Sequence, residues 1–552
     1  MNQDWWKWGD PAEHRHLSEY PKMKAMLEER WDSKITEDFL PPKKFDIAEV
    51  TEKNKETIKD IFASLSGRKI SFKTEDRLFV ALGKSYFDAI RILKNDQIAY
   101  PDAVLSPTTH DEVDYILLQA NEHNIQLTPF GGGSNVVGAL SNDNLKAKPG
   151  LRISLNLRNM DKLIKLDENH MTATFQGGIL GPALEKILNE KGFTLGHFPQ
   201  SFEFSSLGGW VVTRSAGQAS TFYGKIEDLV ESITVATPTG TIHTPHFTHD
   251  ATGINILPLF FGSEGTLGIV TEVTVKIKKV SRYQRWVCAL FPDFDSGSLC
   301  LKECIQNGVK PSVVRLSDAN ETTLFAKLAS EKHQPTFTEN IKKEIQKWVL
   351  KFKNLESPCL MIMCLEEIGP NAASQAVFTK NLIEKYQGMV APESVGKKWA
   401  ENRFKSPYMR DTMLEHRIFI DTMETYVPWE DVPKLHKNLT KALSTAKAFH
   451  KEKGFFLAHL SHIYTSGACM YFTLVTKMNA GQEIEQWRDI KTLVTETILH
   501  NNGTVSHHHG VGADHQKWYL KYSDPLTLEV LRVVKQKLDP KNILNAGKLY
   551  NV

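Results

Sequence analysis

The stretch GGGSNVVG, residues 131–138, directly follows the strand-like IQLTPF. Three successive glycines permit positive φ and let backbone N–H groups converge on an anion, because no Cβ stands in the way. A pyrophosphate is the natural guest. The G-x-G-x-x-G register fails because position 136 is Val, and the following VVGALSNDN is not an amphipathic helix, so a Rossmann crossover is disfavoured. The fragment GKS at 83–85 imitates a P-loop tail, but Leu78 occupies the place of the required first glycine. Two further segments share the texture of the first: PQSFEFSSLGGWVVTRSAG, residues 199–217, and FGSEGTLGIVTEVTVKI, residues 261–277, both dense in Gly, Ser and Thr beside apolar runs. One such stretch is an ordinary loop. The succession of three is the feature that needs an account.

The surrounding chain limits the answer. Its 552 residues suffice for two or three domains with ample cores. Lys+Arg 67 nearly balance Asp+Glu 65, which removes the broad positive footprint of a nucleic-acid binder. The six cysteines, at 288, 300, 304, 359, 364 and 469, form no C-x-x-C pair. Neither a disulfide framework nor a zinc ribbon is indicated, and a reducing compartment is expected. The stretch MNQDWWKWGDPAEHRHL has charges where a signal peptide needs an apolar core, and no uninterrupted apolar run approaches a membrane span. A soluble, intracellular protein is expected. Tyr550-Asn551-Val552 is not an S-K-L type of peroxisomal address.

Residues 1–95 place charged and apolar residues at helical spacing, as in PKMKAMLEERW and EVTEKNKETIKDIF, and predict a helical N-terminal segment. From about residue 97, short β-branched runs alternate with helices such as THDEVDYILLQANEHN. The alternating TEVTVKIKKV ends this region near 280, and ALFPDFDSGSLCLKECIQNG opens a new strand-then-helix pattern. An α+β fold is expected, divided into 1–95, 96–280, 281–500 and 501–552.

The three Gly/Ser/Thr segments in order resemble the flavin-binding half of the vanillyl-alcohol-oxidase type of flavoprotein. The resemblance implies a two-subdomain PCMH-type FAD-binding domain over 96–280 and an α+β cap over 281–500. It places the FAD pyrophosphate at Pro129, Phe130, Gly131, Gly132, Gly133, Ser134 and Asn135. The ribityl chain and flavin ring fall to Pro199, Gln200, Ser201, Ser205, Gly208, Gly209, Val212, Thr213, Arg214 and Ser215 of the second segment. Ser263, Glu264, Gly265, Thr266, Leu267, Gly268 and Ile269 of the third complete the set. The first loop has no His or Cys to tether a flavin, so FAD is expected to be non-covalent, with His197 the one residue that speaks against it. The tail DPKNILNAGKL, residues 539–549, resembles the terminal segment that returns to the flavin domain.

The second half narrows the family. GHFPQSFEFSSLGGWVVTRSAGQASTFYGKIEDLV, PSVVRLSDAN, SPYMRDTMLEH, LAHLSHIYTSGACMYF and HHHGVG together resemble alkyldihydroxyacetonephosphate synthases, the ether-lipid enzymes, from about residue 74 to the C-terminus. The resemblance implies exchange of the acyl chain of 1-acyl-dihydroxyacetone phosphate for a long-chain fatty alcohol through a flavin N5 adduct, without net redox. It also implies a homodimer with peripheral membrane association, peroxisomal in a eukaryote and cytoplasmic in a cell without peroxisomes. Such chemistry needs a base, a cation and an apolar channel. Tyr464 matches the acid–base tyrosine, and a free tyrosine, with its pKa of about 10, would need a cationic neighbour to act as one. Arg410 matches the substrate-binding arginine and is a source of that charge. Arg315 resembles an arginine that organises the flavin site, beside the alternative of a structural ion pair. For SHHHG in extended form, His507 and His509 would point to one face and His508 to the other, which disfavours a metal and leaves one of the three structural. The resemblance implies that His508 and His509 deprotonate the alcohol and bind substrate oxygen. Two alternatives share the FAD half: a 2-hydroxy-acid oxidoreductase of D-lactate or glycolate type, and a flavoprotein keeping FAD only as a scaffold.

Overall fold

The computed structural model describes residues 3–36, 39–41, 47–96, 98–141, 150–247, 249–281, 283–329, 357–367 and 371–550. Three large sheets organise them. In the first, strands run in the order Ile70–Ser71, Ala103–Leu105, Arg152–Asn156, Gln126–Phe130, the last three parallel. Helix His110–Glu122 supplies the crossover between two of these; Thr109 caps it by accepting the N–H of Glu112. Its Val113, Ile116, Leu117 and Ala120, at helical spacing, are buried on that sheet. The strand Gln126–Phe130 ends where the first glycine segment begins, so that segment leaves from the C-terminal end of a parallel strand.

The second sheet is antiparallel, in the order Leu163–Asp167, Thr172–Gln176, Ile269–Lys276, Val230–Thr237, Gly240–His243. It holds the other two glycine segments beside the first. The third sheet has seven antiparallel strands, Met389–Ala391, Gln284–Phe291, Cys359–Glu366, Val313–Ser317, Phe455–Ile463, Gly467–Lys477 and Ile418–Pro428 in spatial order. Helices Phe294–Gln306, Ala372–Lys385, Val432–Thr445 and Glu483–His500 contribute to the core on one of its faces. Strand alternation then decides what reaches the other: Phe456, Ala458 and Leu460 enter that core, while Leu457, His459 and Ser461 line a cavity. A register shift between Leu460 and His462 turns His462 to the cavity as well.

The N-terminal part departs from the expected helical segment. Residues 3–10 form bends rather than a helix, and Ile70–Ser71 adds a strand to the first sheet. Its helices divide between neighbours: Leu27 and Trp31 of Pro21–Trp31 pack with Met413 and Val475 of the cap, whereas Ile58 and Phe62 join the first sheet's core. Apolar spacing predicted helices correctly at Pro21–Trp31 and Glu52–Ile61 but could not say what each would cover.

At the other end, Leu544 bridges to Leu127 beside the first sheet, and Asn545 donates through its backbone N–H to the Leu127 carbonyl. Lys535, almost fully buried in helix Pro525–Leu538, fixes this return by donating to the carbonyls of Thr266 and Leu544 and to Asp539. Replacing a buried ammonium in such a set leaves the Asp539 carboxylate without its cation. Lys535→Ala should therefore destabilise the protein by about 3–5 kcal/mol, seen as a lowered denaturation midpoint.

Candidate active site

The three glycine segments close on one another with no room for a Cβ. A Cβ on Gly131 would stand 2.2 Å from Ser206 Oγ, one on Gly132 1.8 Å from the Phe204 carbonyl, and one on Gly265 2.5 Å from Pro129. Gly133 has φ +71°, which only glycine adopts freely. The backbone N–H groups of Gly131 to Val136 find no acceptor among the described residues and border a cavity of about 460 Å³. Unpaired N–H groups beside a cavity are donors waiting for an anion. The site therefore fits the pyrophosphate of FAD. No cysteine lines this cavity among the described residues, and His197 is buried outside its wall, with Nε2 3.2 Å from Ser215 Oγ. Burial, then the nearby His462, lowers the His197 pKa to about 3.

The opposite wall is built by strands of the seven-stranded sheet and by the loop after Glu483–His500. That loop is not extended. The backbone N–H groups of His507, His508 and His509 all donate to the buried Glu424 carboxylate, at 2.6, 3.1 and 2.9 Å, and the Ser506 hydroxyl adds a fourth bond at 2.6 Å. The expected alternation of the three histidines is corrected: the segment curls around a carboxylate, with neighbouring ring centres 5.2 and 4.8 Å apart. His507 Nδ1 lies 3.0 Å from His508 Nδ1, and His507 Nε2 lies 2.7 Å from Tyr464 Oη. His508 and His509 reach the cavity wall, with Tyr464 and His507 behind them.

Burial governs the charges here. It pushes the Tyr464 hydroxyl well above its ordinary value, helped by Cys469 and nearby carboxylates. It lowers His508 to about 4 and His462 to about 3, and shifts His507 and His509 in the same direction. At neutral pH these rings are uncharged. Glu424 moves the opposite way to what burial alone would do: the three histidines and Ser506 outweigh desolvation and hold its carboxyl well below the usual range. Three backbone N–H groups and a hydroxyl also stabilise the anion.

His462, Cys469, His507 and His508 each place one nitrogen or sulfur within 4.8 Å of the others. The geometric objection to a metal therefore falls with the alternation. Chemistry still weighs against one: His462 contacts Ser461 Oγ and the Gly217 carbonyl through its two nitrogens, and burial raises the Cys469 thiol well above its ordinary pKa, away from the thiolate a metal needs.

The arginines are held rather than free. Arg410 donates from Nε and Nη2 to Asp411 Oδ1, at 2.9 and 2.6 Å, and from Nη1 to the Lys84 carbonyl. Its expected partnership with Tyr464 is corrected, because the group hydrogen-bonded to the phenol is His507. Arg315 pairs with Glu321 at 2.8 Å and contacts Ser317 and His459, yet also lines the cavity. Burial opposes ionisation of Glu321, and Arg315 with His459 outweighs it, holding the carboxyl at about 2.

Comparison with known proteins agrees with this geometry. The FAD binding domain model matches residues 101–245, and the model of FAD linked oxidases, C-terminal domain, matches residues 280–549. The alkyldihydroxyacetonephosphate synthase of Dictyostelium discoideum is 36% identical over 482 residues, 86% of this chain and 77% of the relative. That of Trypanosoma brucei brucei is 32% identical over 491 residues, 88% and 79% of the two chains. The chain belongs to the alkyldihydroxyacetonephosphate synthase family. A solved alkyldihydroxyacetonephosphate synthase superposes with a TM-score of 0.83 at 29% identity over 99% of each chain. A p-cresol methylhydroxylase, with a TM-score of 0.66 at 15% identity over 91% of this chain and 97% of its own, shares the fold. The cofactor of this synthase-family chain is FAD.

Most residues expected to hold FAD do border the cavity, and five do not. Phe130 is buried beneath Gly133, and Leu267 lies in the second sheet's core. Ser263 is buried, and Thr266 bonds the Tyr550 hydroxyl at 3.0 Å. Arg214 pairs with Glu227 at the surface. Each sits in a correct segment with its side chain on the wrong side of the backbone. Residues that sequence reasoning missed include Glu424 and Trp8, which stand in no motif that announces chemistry, and Lys84 and Ser206, which stand in GKS and in the second Gly/Ser/Thr segment.

Two outcomes follow for this site. Gly132→Ala should strip most of the flavin absorbance from the purified protein, because its Cβ has no room against the Phe204 carbonyl. The second concerns acid. His197, His462, His508 and His515 are lowered to about 3 or 4 by burial, so the unfolded chain binds more protons below about pH 6.5. Their stabilisation is complete above about pH 6.5 and is lost as pH falls toward 4. Denaturation midpoints should fall with pH across that range, these four rings contributing about three to four protons taken up on unfolding, while Asp514, raised to about 7 by burial, contributes in the opposite sense.

Proposed function

We propose that this protein transfers a long-chain fatty alcohol onto carbon 1 of 1-acyl-dihydroxyacetone phosphate, releasing the fatty acid and leaving an ether. The supporting observation is the hydrogen-bonded chain Tyr464–His507–His508, which meets at His508 a cavity shared by Arg410 and the glycine cradle. FAD, held by the glycine cradle of residues 131–136, would supply an electron-accepting ring for the exchange at carbon 1, with no net redox. The residues move the protons. A proton lost from carbon 1 enters the chain at His508, its cavity end, and is shared along it with His507 and Tyr464 Oη. Neutral His508 and His509 take the alcohol proton. One proton returns to carbon 1 and one leaves with the fatty acid, so the exchange balances. Arg410, fixed by Asp411, binds the substrate phosphate, for which a planar guanidinium is well shaped. Arg315 organises the flavin side, with Glu321 holding its guanidinium in place.

The same reading includes non-covalent FAD, a homodimer and peripheral contact with a membrane. The insolubility of the alcohol and acyl chains supports the last. No helix among the described residues is long and apolar enough to cross a membrane.

Tyr464→Phe should lower ether formation and carbon-1 proton exchange by about 100-fold, with FAD content normal. His507→Ala should cost a similar factor, and the double variant little more, because the two act as one unit. Turnover should withstand chelators. Undiminished proton exchange in Tyr464→Phe would assign the base elsewhere, and chelator-sensitive turnover would return the metal reading.

A further inference from the structure

Residues 3–10 bridge the flavin half and the cap without forming a helix. On the flavin side, Gln3 Nε2 donates to the Gly132 carbonyl at 3.3 Å, and Gln3 Oε1 accepts from Arg158 at 3.3 Å. On the cap side, the Asp10 N–H donates to the Tyr408 hydroxyl at 3.1 Å, and Lys7 pairs with Glu415 at 2.6 Å. Gly9 has φ +67°, and a Cβ there would stand 2.3 Å from Tyr408 Oη, so the segment lies flat on that ring. Trp8 is buried edge-on to Phe204, 6.4 Å between ring centres, and forms part of the cavity wall.

The segment also holds both groups that hold Arg410. Asp411 is completely buried and divides its oxygens: Oδ1 accepts the Arg410 fork, and Oδ2 accepts the Trp8 N–H at 2.6 Å. Lys84, whose carbonyl accepts from Arg410 Nη1, is fixed through Nζ by the carbonyls of Asp4 and Trp5, at 3.1 and 2.9 Å. A guanidinium binds a phosphate well only in one orientation, and here each of its supports ends on residues 4–8.

We propose that residues 3–10 complete the substrate site: Trp8 is a wall residue for the ketone phosphate, and Gly9 with the adjoining backbone positions Arg410 through Asp411 and Lys84. This rests on the reading of Arg410 as the phosphate-binding group.

The test uses FAD-loaded protein and dihydroxyacetone phosphate as probe, followed by isothermal titration calorimetry. Trp8→Ala removes the wall, and Gly9→Ala lifts the segment from Tyr408. Each should weaken binding by about ten-fold, with flavin content unchanged. Trp8→Phe should stay within about three-fold of the original protein. In turnover, Trp8→Ala and Gly9→Ala should raise KM for the acyl substrate far more than they lower kcat. Unchanged binding in Trp8→Ala and Gly9→Ala would overturn the inference while leaving the Arg410 reading intact. Loss of flavin together with binding would reduce the segment to a folding role and overturn it too. If the original protein does not bind dihydroxyacetone phosphate, the Arg410 reading fails, and this inference with it.

Discussion

Everything at the catalytic end of the molecule depends on one buried carboxylate. Glu424 sits on a strand of the cap with no exposed side-chain surface and accepts three consecutive backbone N–H groups and a hydroxyl from residues 506–509. An unpaired carboxylate there would be strongly disfavoured, and four donors offset that cost. Two residues further on, Glu264 of the flavin half accepts the N–H groups of Val511 and Gly512. Two carboxylates from opposite halves thus grip adjacent parts of one loop. The distance between flavin cradle and histidine rings is set by that double grip.

This arrangement also separates charge from proton transfer. The anions point at backbone, and the rings of His508 and His509 meet the cavity uncharged, where they can accept a proton without first losing one. The cations are treated differently. Arg315 and Arg410 pair with Glu321 and Asp411, and both guanidinium groups are oriented before any substrate arrives. Preorganised donors of this kind need no rearrangement during reaction.

Much of this was legible in the chain. Apolar spacing located helices such as His110–Glu122, alternation located the strand Ile269–Lys276, and three Gly/Ser/Thr segments located the cofactor cradle. These are local properties: a periodicity of 3.6 or 2 and a missing Cβ act within a few residues. The motifs also named Tyr464, Arg410 and the histidines. Sequence could not show that Tyr464 meets His507 rather than Arg410, that a distant glutamate curls the histidine loop, or that residues 3–10 cross the cavity edge. Those facts arise from pairings 43, 83 and 403 residues apart. A hydrogen bond between remote segments leaves no periodicity behind it, so only the folded chain could decide them.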